Sequence, residues 1–132
     1  MPEYPIKYLA PLTKEEAISY AEQFVSIMGD KWSLLLIAQL AFGKSPSRFN
    51  ELMRVLSPIS SRTLSIKLTN LTERGIIKKE IENASPPFTL YSLTEMGVDL
   101  VFAFKAMADW SLKWLKPNLA ANQKILSPNI SS

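Results

Sequence analysis

Cysteine and histidine are both missing from this chain of 132 residues. Without cysteine there is no disulfide, no thiol nucleophile and no thiol-based redox switch. The two absences together exclude most zinc sites, nearly all iron–sulfur sites and every catalytic triad or dyad built on histidine. Paired carboxylates are the remaining route to catalysis, but no pattern in the sequence assembles such a pair. We therefore expect a protein that is not an enzyme and that needs neither a metal nor a bound cofactor to fold.

Long hydrophobic runs are missing as well. A membrane-spanning helix needs about 18 to 20 consecutive apolar residues, whereas the longest candidate, 32–42, is shorter and contains Gln39. The segment 1–12 holds three prolines and no apolar stretch like that of a signal peptide. The sequence thus predicts a soluble cytoplasmic protein with no membrane partner.

Positive charge is concentrated in one part of the chain. The net charge is +3, but residues 44–79 hold eight basic and two acidic residues, which is a local net charge of +6. The rest of the chain carries −3. Clustered positive charge is typical of a protein that binds a polyanion such as nucleic acid. A solvated surface that happens to be basic is the alternative.

Helix caps and hydrophobic periodicity divide the chain into short elements. Thr13 forms a capping box with Glu16, and Asp30, Ser60 and Thr94 stand where further helices begin. The predicted order is a helix from 13 that ends at Gly29, a helix over 31–42 closed by Gly43, a turn or very short strand in 44–49, helices over 50–56 and 61–74, strands over 76–81 and 88–93, and a final helix over 95–116.

This order predicts the fold class. Two helices joined by a turn of about four residues, 50–56 and 61–74, form a helix-turn-helix pattern, and the strand pair after them would form a hairpin. Helix 31–42 is apolar nearly all round and should lie at the centre. We expect a mainly α-helical fold with a small β-hairpin wing: a winged helix-turn-helix whose extra N- and C-terminal helices form a dimer interface.

Several motifs in register resemble a known family. The segment 27–33 (IMGDKWS) resembles the "GGKW" signature of HxlR-type, MarR-like winged-helix transcriptional regulators, and 48–52 reads RFNEL as in that family. The segment 59–64 (ISSRTL) resembles the start of its recognition helix, and 86–97 (PPFTLYSLTEMG) resembles its wing and final helix. The similarity spans roughly 19–114. It implies a regulator that dimerises through its terminal helices.

Three positions depart from the family pattern. Ser19 stands where many members have a cysteine, so the thiol sensing of some relatives is not expected here. Phe88 follows the double proline where many members have a basic residue, and an electrostatic contact from that position is not implied. Asp30 replaces the second glycine of the signature, which is a conservative change at a helix cap.

The candidate recognition helix, 61–74, has two faces. Leu64, Leu68 and Leu71 share one face and should be buried. The opposite face is then exposed, and recognition helices read bases mainly with N-terminal residues. Arg62 is the best candidate, because its planar guanidinium can pair with both major-groove acceptors of guanine; a solvated surface arginine is the alternative. The predicted base contacts are Ser61, Arg62, Ser65, Ile66 and Thr69.

A second group of side chains is expected to contact phosphates, which position a protein on DNA without reading its sequence. These residues are Arg48, Ser60, Lys67, Lys78 and Lys79. Neighbouring strand residues face opposite ways. At most one member of the Lys78 and Lys79 pair should therefore point at DNA.

The terminal helices carry more apolar side chains than a domain of this size can cover. Such a face marks an interface. In the first helix we expect Ile18, Ala21, Val25 and Met28 to face the core, which leaves other apolar residues for a partner. The predicted interface residues are Tyr20, Phe24, Ile27, Phe102, Phe104, Met107, Trp110 and Trp114. A helix lying on a membrane surface is the rival interpretation, but the final helix has few basic residues for that role.

These observations predict a sequence-specific, double-stranded DNA-binding transcriptional regulator that acts as a homodimer on a pseudo-palindromic operator, with repression the expected outcome. The predicted parts are an N-terminal arm (1–12), the DNA-binding domain with its dimerisation helices (13–116) and a flexible C-terminal tail (117–132). A small-molecule effector could bind between the first, second and last helices. A winged-helix module that binds another protein is the alternative function.

Overall fold

The computed structural model describes residues 12–117. It contains five helices and a two-stranded sheet, in the predicted order. The elements are α1 (Lys14–Met28), α2 (Lys31–Phe42), α3 (Phe49–Val55), α4 (Ser61–Glu73), β1 (Ile77–Glu82), β2 (Phe88–Leu93) and α5 (Glu95–Trp114). The predicted arm and tail lie outside the described residues, except for Leu12 and Pro117 at their edges.

Short polar side chains cap four of these helices at the predicted positions. Oxygens of Thr13, Asp30, Ser60 and Thr94 each accept a hydrogen bond from the backbone N–H three residues further on. These bonds satisfy N–H groups that have no partner within the helix. The cap of α3 differs, because there the Glu51 carboxylate accepts the bond from the backbone N–H of Arg48.

The wing is an antiparallel hairpin whose register runs from Ile77 opposite Leu93 to Glu82 opposite Phe88. Ser47 adds one more bridge, to Tyr91 of β2. Its N–H donates to the Tyr91 carbonyl at 2.9 Å, and the Tyr91 N–H donates back at 2.8 Å. The segment predicted as a turn or very short strand is therefore fixed to the wing immediately before α3 begins.

The core forms around α2, as its composition predicts. Leu36 and Ile37 are fully buried there. Leucines of α3 and α4 and the isoleucines that lead into β1 pack around them. The turn from α4 into β1 needs Gly75, whose φ of +79° lies in the left-handed region that favours glycine. This packing holds one side of α4 in the core and leaves its other side exposed.

The expectation for α1 is wrong along most of its length. Ile18 and Val25 are 49% and 61% exposed, and Ala21 is exposed as well. Met28 is the only buried residue of this helix. Only the last turn of α1 reaches the core, so the periodic apolar side chains before it are not buried by the rest of this chain.

Within residues 12–117 no single helix has the length and hydropathy needed to cross a membrane. The pair α1 and α2 together pass by length and composition, but they meet at a bend of 82°. In addition, α2 supplies the centre of the core.

Candidate nucleic-acid interface

Helix α4 presents two chemically different faces, as predicted. Leu64, Leu68 and Leu71 are buried against α2 and the start of β1. The five predicted base-contact residues are all exposed: Ser61, Arg62, Ser65, Ile66 and Thr69. None of the ion pairs in the described part of the chain involves Arg62. Its guanidinium is therefore free to meet an external acceptor.

Lys79 of the wing lies on the same side of the molecule as the exposed face of α4. It lines a cleft of about 190 Å³ together with Ser65, Thr69 and Glu73 of α4 and with Tyr91. Partial burial raises the pKa of the Tyr91 phenol above its ordinary value of 10.0, so this hydroxyl stays neutral near pH 7. The cleft thus lies between the exposed face of α4 and the wing.

Lys78 lies on the opposite face of β1, and its Nζ is 3.3 Å from Oε1 of Glu80. Lys78 and Lys79 are neighbours on β1, so their side chains point to opposite faces of the strand. Of the two neighbouring lysines, only Lys79 lines the cleft beside α4; that at most one of them points at DNA stays a prediction.

Lys67, one of the predicted phosphate contacts, forms an ion pair within the chain. Its side chain is 23% exposed, and its Nζ lies 3.2 Å from Oδ2 of Asp30. This ion pair links α4 to the start of α2, and the phosphate contact expected from Lys67 stays a prediction. Ser60 is similarly engaged: its hydroxyl accepts from the N–H of Thr63 and donates to the Thr63 hydroxyl.

The Asp30 carboxylate is stabilised in its charged form. Partial burial alone would raise its pKa, but the backbone N–H and hydroxyl of Ser33 and the ammonium of Lys67 all donate to it and outweigh that effect. The pKa of Asp30 is consequently below its ordinary value of 3.8. At neutral pH the tie between α2 and α4 is therefore a full ion pair.

Arg48 occupies the junction between α3 and the wing. Its guanidinium carbon lies 3.7 Å from the centre of the Phe88 ring. The Glu51 carboxylate accepts a hydrogen bond from the Arg48 N–H and forms an ion pair with Lys44. These contacts, of which the one with Lys44 is the strongest, lower the pKa of the Glu51 carboxyl below 4.5. Sequence reasoning missed the partnership of Arg48 and Phe88. Residues forty positions apart cannot be connected by a local sequence pattern. The Ser47–Tyr91 bridge brings these two together.

Most of the predicted interface residues are exposed, including Phe102 at 72% and Trp110 at 58%. Two are not. Phe104 is only 9% exposed and belongs to the core cluster, so its assignment to the interface is wrong. Ile27 is half-buried and packs against the same core. The remaining exposed members are Tyr20, Phe24, Met107 and Trp114.

Comparison with known sequences places this fold in a family. The sequence model described as HxlR-like helix-turn-helix matches residues 27–119, which is more than half of the chain. The chain belongs to the HxlR-like helix-turn-helix family. Over residues 12–117, where the structure can be searched, no group of three or more histidine, cysteine, aspartate or glutamate side chains could hold a metal ion.

Relatives of this HxlR-like protein are transcriptional regulators. The HTH-type regulator YdeP of Bacillus subtilis (strain 168) is 37% identical over 93 residues, which are 70% of this chain and 71% of YdeP. A MarR-family transcriptional regulator from Enterococcus faecalis V583 superposes with a TM-score of 0.66 at 31% identity, covering 78% of this chain and 89% of that one. The winged helix-turn-helix fold and the role in DNA-binding transcription regulation are thereby established for the HxlR-like chain.

A third similar structure is YodB from B. subtilis with a quinone bound. It has a TM-score of 0.62 and 28% identity, and the match covers 72% of this chain and 97% of YodB. At the position where many members of the family carry a cysteine, this HxlR-like protein has Ser19, whose hydroxyl accepts a hydrogen bond from the Gln23 amide at 3.2 Å.

Proposed function

We propose that this protein binds double-stranded DNA sequence-specifically through α4, as a homodimer on a pseudo-palindromic operator, and represses transcription by occluding a promoter. The observation that carries the proposal is the orientation of α4, whose three leucines are buried while its arginine-bearing side is exposed. A recognition helix must offer such a side to the major groove. Since its target is promoter DNA, the protein would act in the cytoplasm.

Base reading is assigned to the exposed side chains in the first half of α4. The Arg62 guanidinium would pair with O6 and N7 of a guanine, and the hydroxyls of Ser61 and Ser65 would bond a base edge or a phosphate. Ile66 is an apolar residue on a polar face, 44% exposed, and would contact a thymine methyl group. Thr69 lies one turn further on and would complete the reading surface.

Phosphate contacts are assigned to two cations at the wing, Arg48 and Lys79. Arg48 has no ion pair among residues 12–117, and Lys79 lies on the α4 side of the wing. Together they would give about two phosphate contacts per protomer and about four per dimer, so affinity would fall roughly a hundredfold between 50 and 200 mM salt.

Dimerisation is assigned to the exposed apolar side chains of α1 and α5. Met107 and Trp110 line an apolar hollow of about 470 Å³ on α5, which a partner side chain could fill. Tyr20 and Phe24 of α1 and Phe102 and Trp114 of α5 add apolar surface. A two-fold dimer would place two α4 helices about one DNA turn apart, and this spacing is why a pseudo-palindrome is expected.

An effector would bind in a pocket of about 240 Å³ between the end of α1 and the start of α5. Phe24, Ile27, Met96 and Leu100 contribute apolar walls, and Asp99 contributes a carboxylate. The quinone bound by YodB supports a small apolar ligand in this family. With no cysteine in the chain, such a ligand would be held here without a thiol bond.

Selection of bound sequences from a pool of random duplex DNA tests the proposal. The full chain should enrich an inverted repeat, and Arg62→Ala should lose preference at one base pair in each half-site. Arg74→Ala is the matched control, because it removes the same exposed side chain from the far end of α4. The control should keep the parent motif. No enrichment by the parent at moderate salt would contradict sequence reading and would favour a protein-binding module instead.

A further inference from the structure

Phe88 is the first residue of β2, at the outer end of the wing, and its side chain is half-buried. It belongs neither to the core cluster nor to the partly buried side chains that pack against that cluster. Its register partner on β1, Glu82, is exposed. The neighbour over its ring is Arg48, with the guanidinium carbon 3.7 Å from the ring centre. The ring therefore makes a local contact instead of filling the core.

Arg48 is held at two points. Its backbone follows the Ser47–Tyr91 bridge and donates its N–H to Oε1 of Glu51 at 2.9 Å. Its guanidinium, at the other end of the side chain, lies over Phe88. The nearby Glu51 carboxylate is occupied, because its second oxygen pairs with Lys44. Arg48 takes part in none of the ion pairs found between residues 12 and 117.

A guanidinium over an aromatic ring is attracted to the ring face, while its N–H donors point outward in its own plane. Those donors remain available for an anionic oxygen. A free arginine loses rotamer entropy when it fixes a phosphate, but an arginine already held by a ring loses less. The stack therefore prepares Arg48 to bind a phosphate.

We propose that Phe88 is a positioning residue for DNA binding: its ring holds the Arg48 guanidinium beside the wing, and Arg48 makes the phosphate contact there. Phe88, which follows the double proline, carries no charge itself. It would contribute to DNA binding through Arg48 at the start of α3. This inference depends on the proposed DNA binding and identifies how one contact of that surface is organised.

A double-mutant cycle tests the inference, with fluorescence anisotropy on a labelled random-sequence 30-base-pair duplex, because phosphate contacts do not depend on sequence. The variants are Phe88→Leu, Arg48→Gln and the double variant, and each is measured at several salt concentrations. Phe88→Leu should weaken binding about two- to fivefold in the parent and should have no effect in the Arg48→Gln background. Arg48→Gln should reduce the salt slope by roughly two for a dimer.

Two variants separate positioning from general packing. Phe88→Tyr keeps the aromatic face and should retain parent affinity. Phe42→Leu makes the same change at a phenylalanine that is exposed at the end of α2, and it should leave affinity unchanged. An equal loss from Phe88→Leu in both arginine backgrounds would overturn the inference while leaving DNA binding intact. A parent that binds no duplex even at low salt would overturn the proposed function and this inference with it.

The contact between Arg48 and Phe88 can also be tested without DNA. This test does not require the Phe88→Leu variant to fold. In ¹H–¹⁵N spectra of the parent, the Nε–H signal of Arg48 is assigned by its loss in Arg48→Gln. Ring current from Phe88 should move this proton upfield of a free arginine. A signal at the free-arginine position would contradict the stack.

Discussion

Lys67 of α4 reaches back to Asp30 at the start of α2, with its Nζ 3.2 Å from Oδ2 of the carboxylate. The same carboxylate accepts hydrogen bonds from the backbone N–H and hydroxyl of Ser33, each at 2.9 Å, and Ser33 is buried. One side chain therefore caps the central helix, satisfies a buried hydroxyl and fixes the recognition helix. A glycine at this position could supply only the backbone conformation.

Replacing Asp30 by alanine should lower the free energy of unfolding by about 1 to 2 kcal/mol, because the cap is lost and the buried Ser33 hydroxyl loses its partner. Urea denaturation measures the change. Asp109→Ala is the control: Asp109 forms an exposed pair with Lys105 on α5, and its loss should cost less than about 0.5 kcal/mol. Equal effects from the two variants would contradict the role assigned to Asp30.

Acid should destabilise the protein through the same carboxylate. Folding lowers the pKa of Asp30 below 3.8 and that of Glu51 below 4.5. Each group therefore contributes stability that is present above its unfolded pKa and is lost as the pH falls through its folded pKa. The urea midpoint of the parent should decline below about pH 4.5, and Asp30→Asn should decline less steeply. Parallel curves for the parent and Asp30→Asn would exclude a contribution from this residue.

Lys79 and Lys78 give a matched pair for the wing. They are neighbours on β1 with the same side chain, but only Lys79 lines the cleft beside α4, whereas Lys78 pairs with Glu80. Lys79→Gln should weaken binding to duplex DNA and reduce the salt slope by roughly two for a dimer. Lys78→Gln should change neither quantity appreciably. If Lys78→Gln reduced the salt slope and Lys79→Gln did not, the other face of the wing would be the one that meets DNA.

The exposed face of α5 predicts how the protein assembles. Trp110→Glu should convert the proposed dimer to a monomer in sedimentation velocity at micromolar concentration, since a charge would be buried without a partner. Phe42→Glu places the same charge at a residue of similar exposure, 68% against 58% for Trp110, but outside the proposed interface. It should leave the sedimentation coefficient unchanged. A parent that sediments as a monomer would contradict the proposed interface.

Local chemistry along the chain was sufficient to predict the elements and the outward face of the recognition helix. The caps at Thr13, Asp30, Ser60 and Thr94 act on N–H groups three residues away. Such short-range interactions can be inferred from spacing alone. The spacing of the three leucines in α4 likewise fixes which side is buried, because helical periodicity allows only one face to contain them all.

Contacts between distant segments were decided by the tertiary structure. In α5 the apolar residues occupy more than one stripe, so the sequence could not show that Phe104 joins the core while Phe102 stays exposed. Two cations that looked equivalent as phosphate ligands differ for the same reason: Lys67 meets Asp30, and Arg48 meets Phe88. Periodicity specifies which residues share a face, but only packing decides which face meets a partner and which charge is left unpaired.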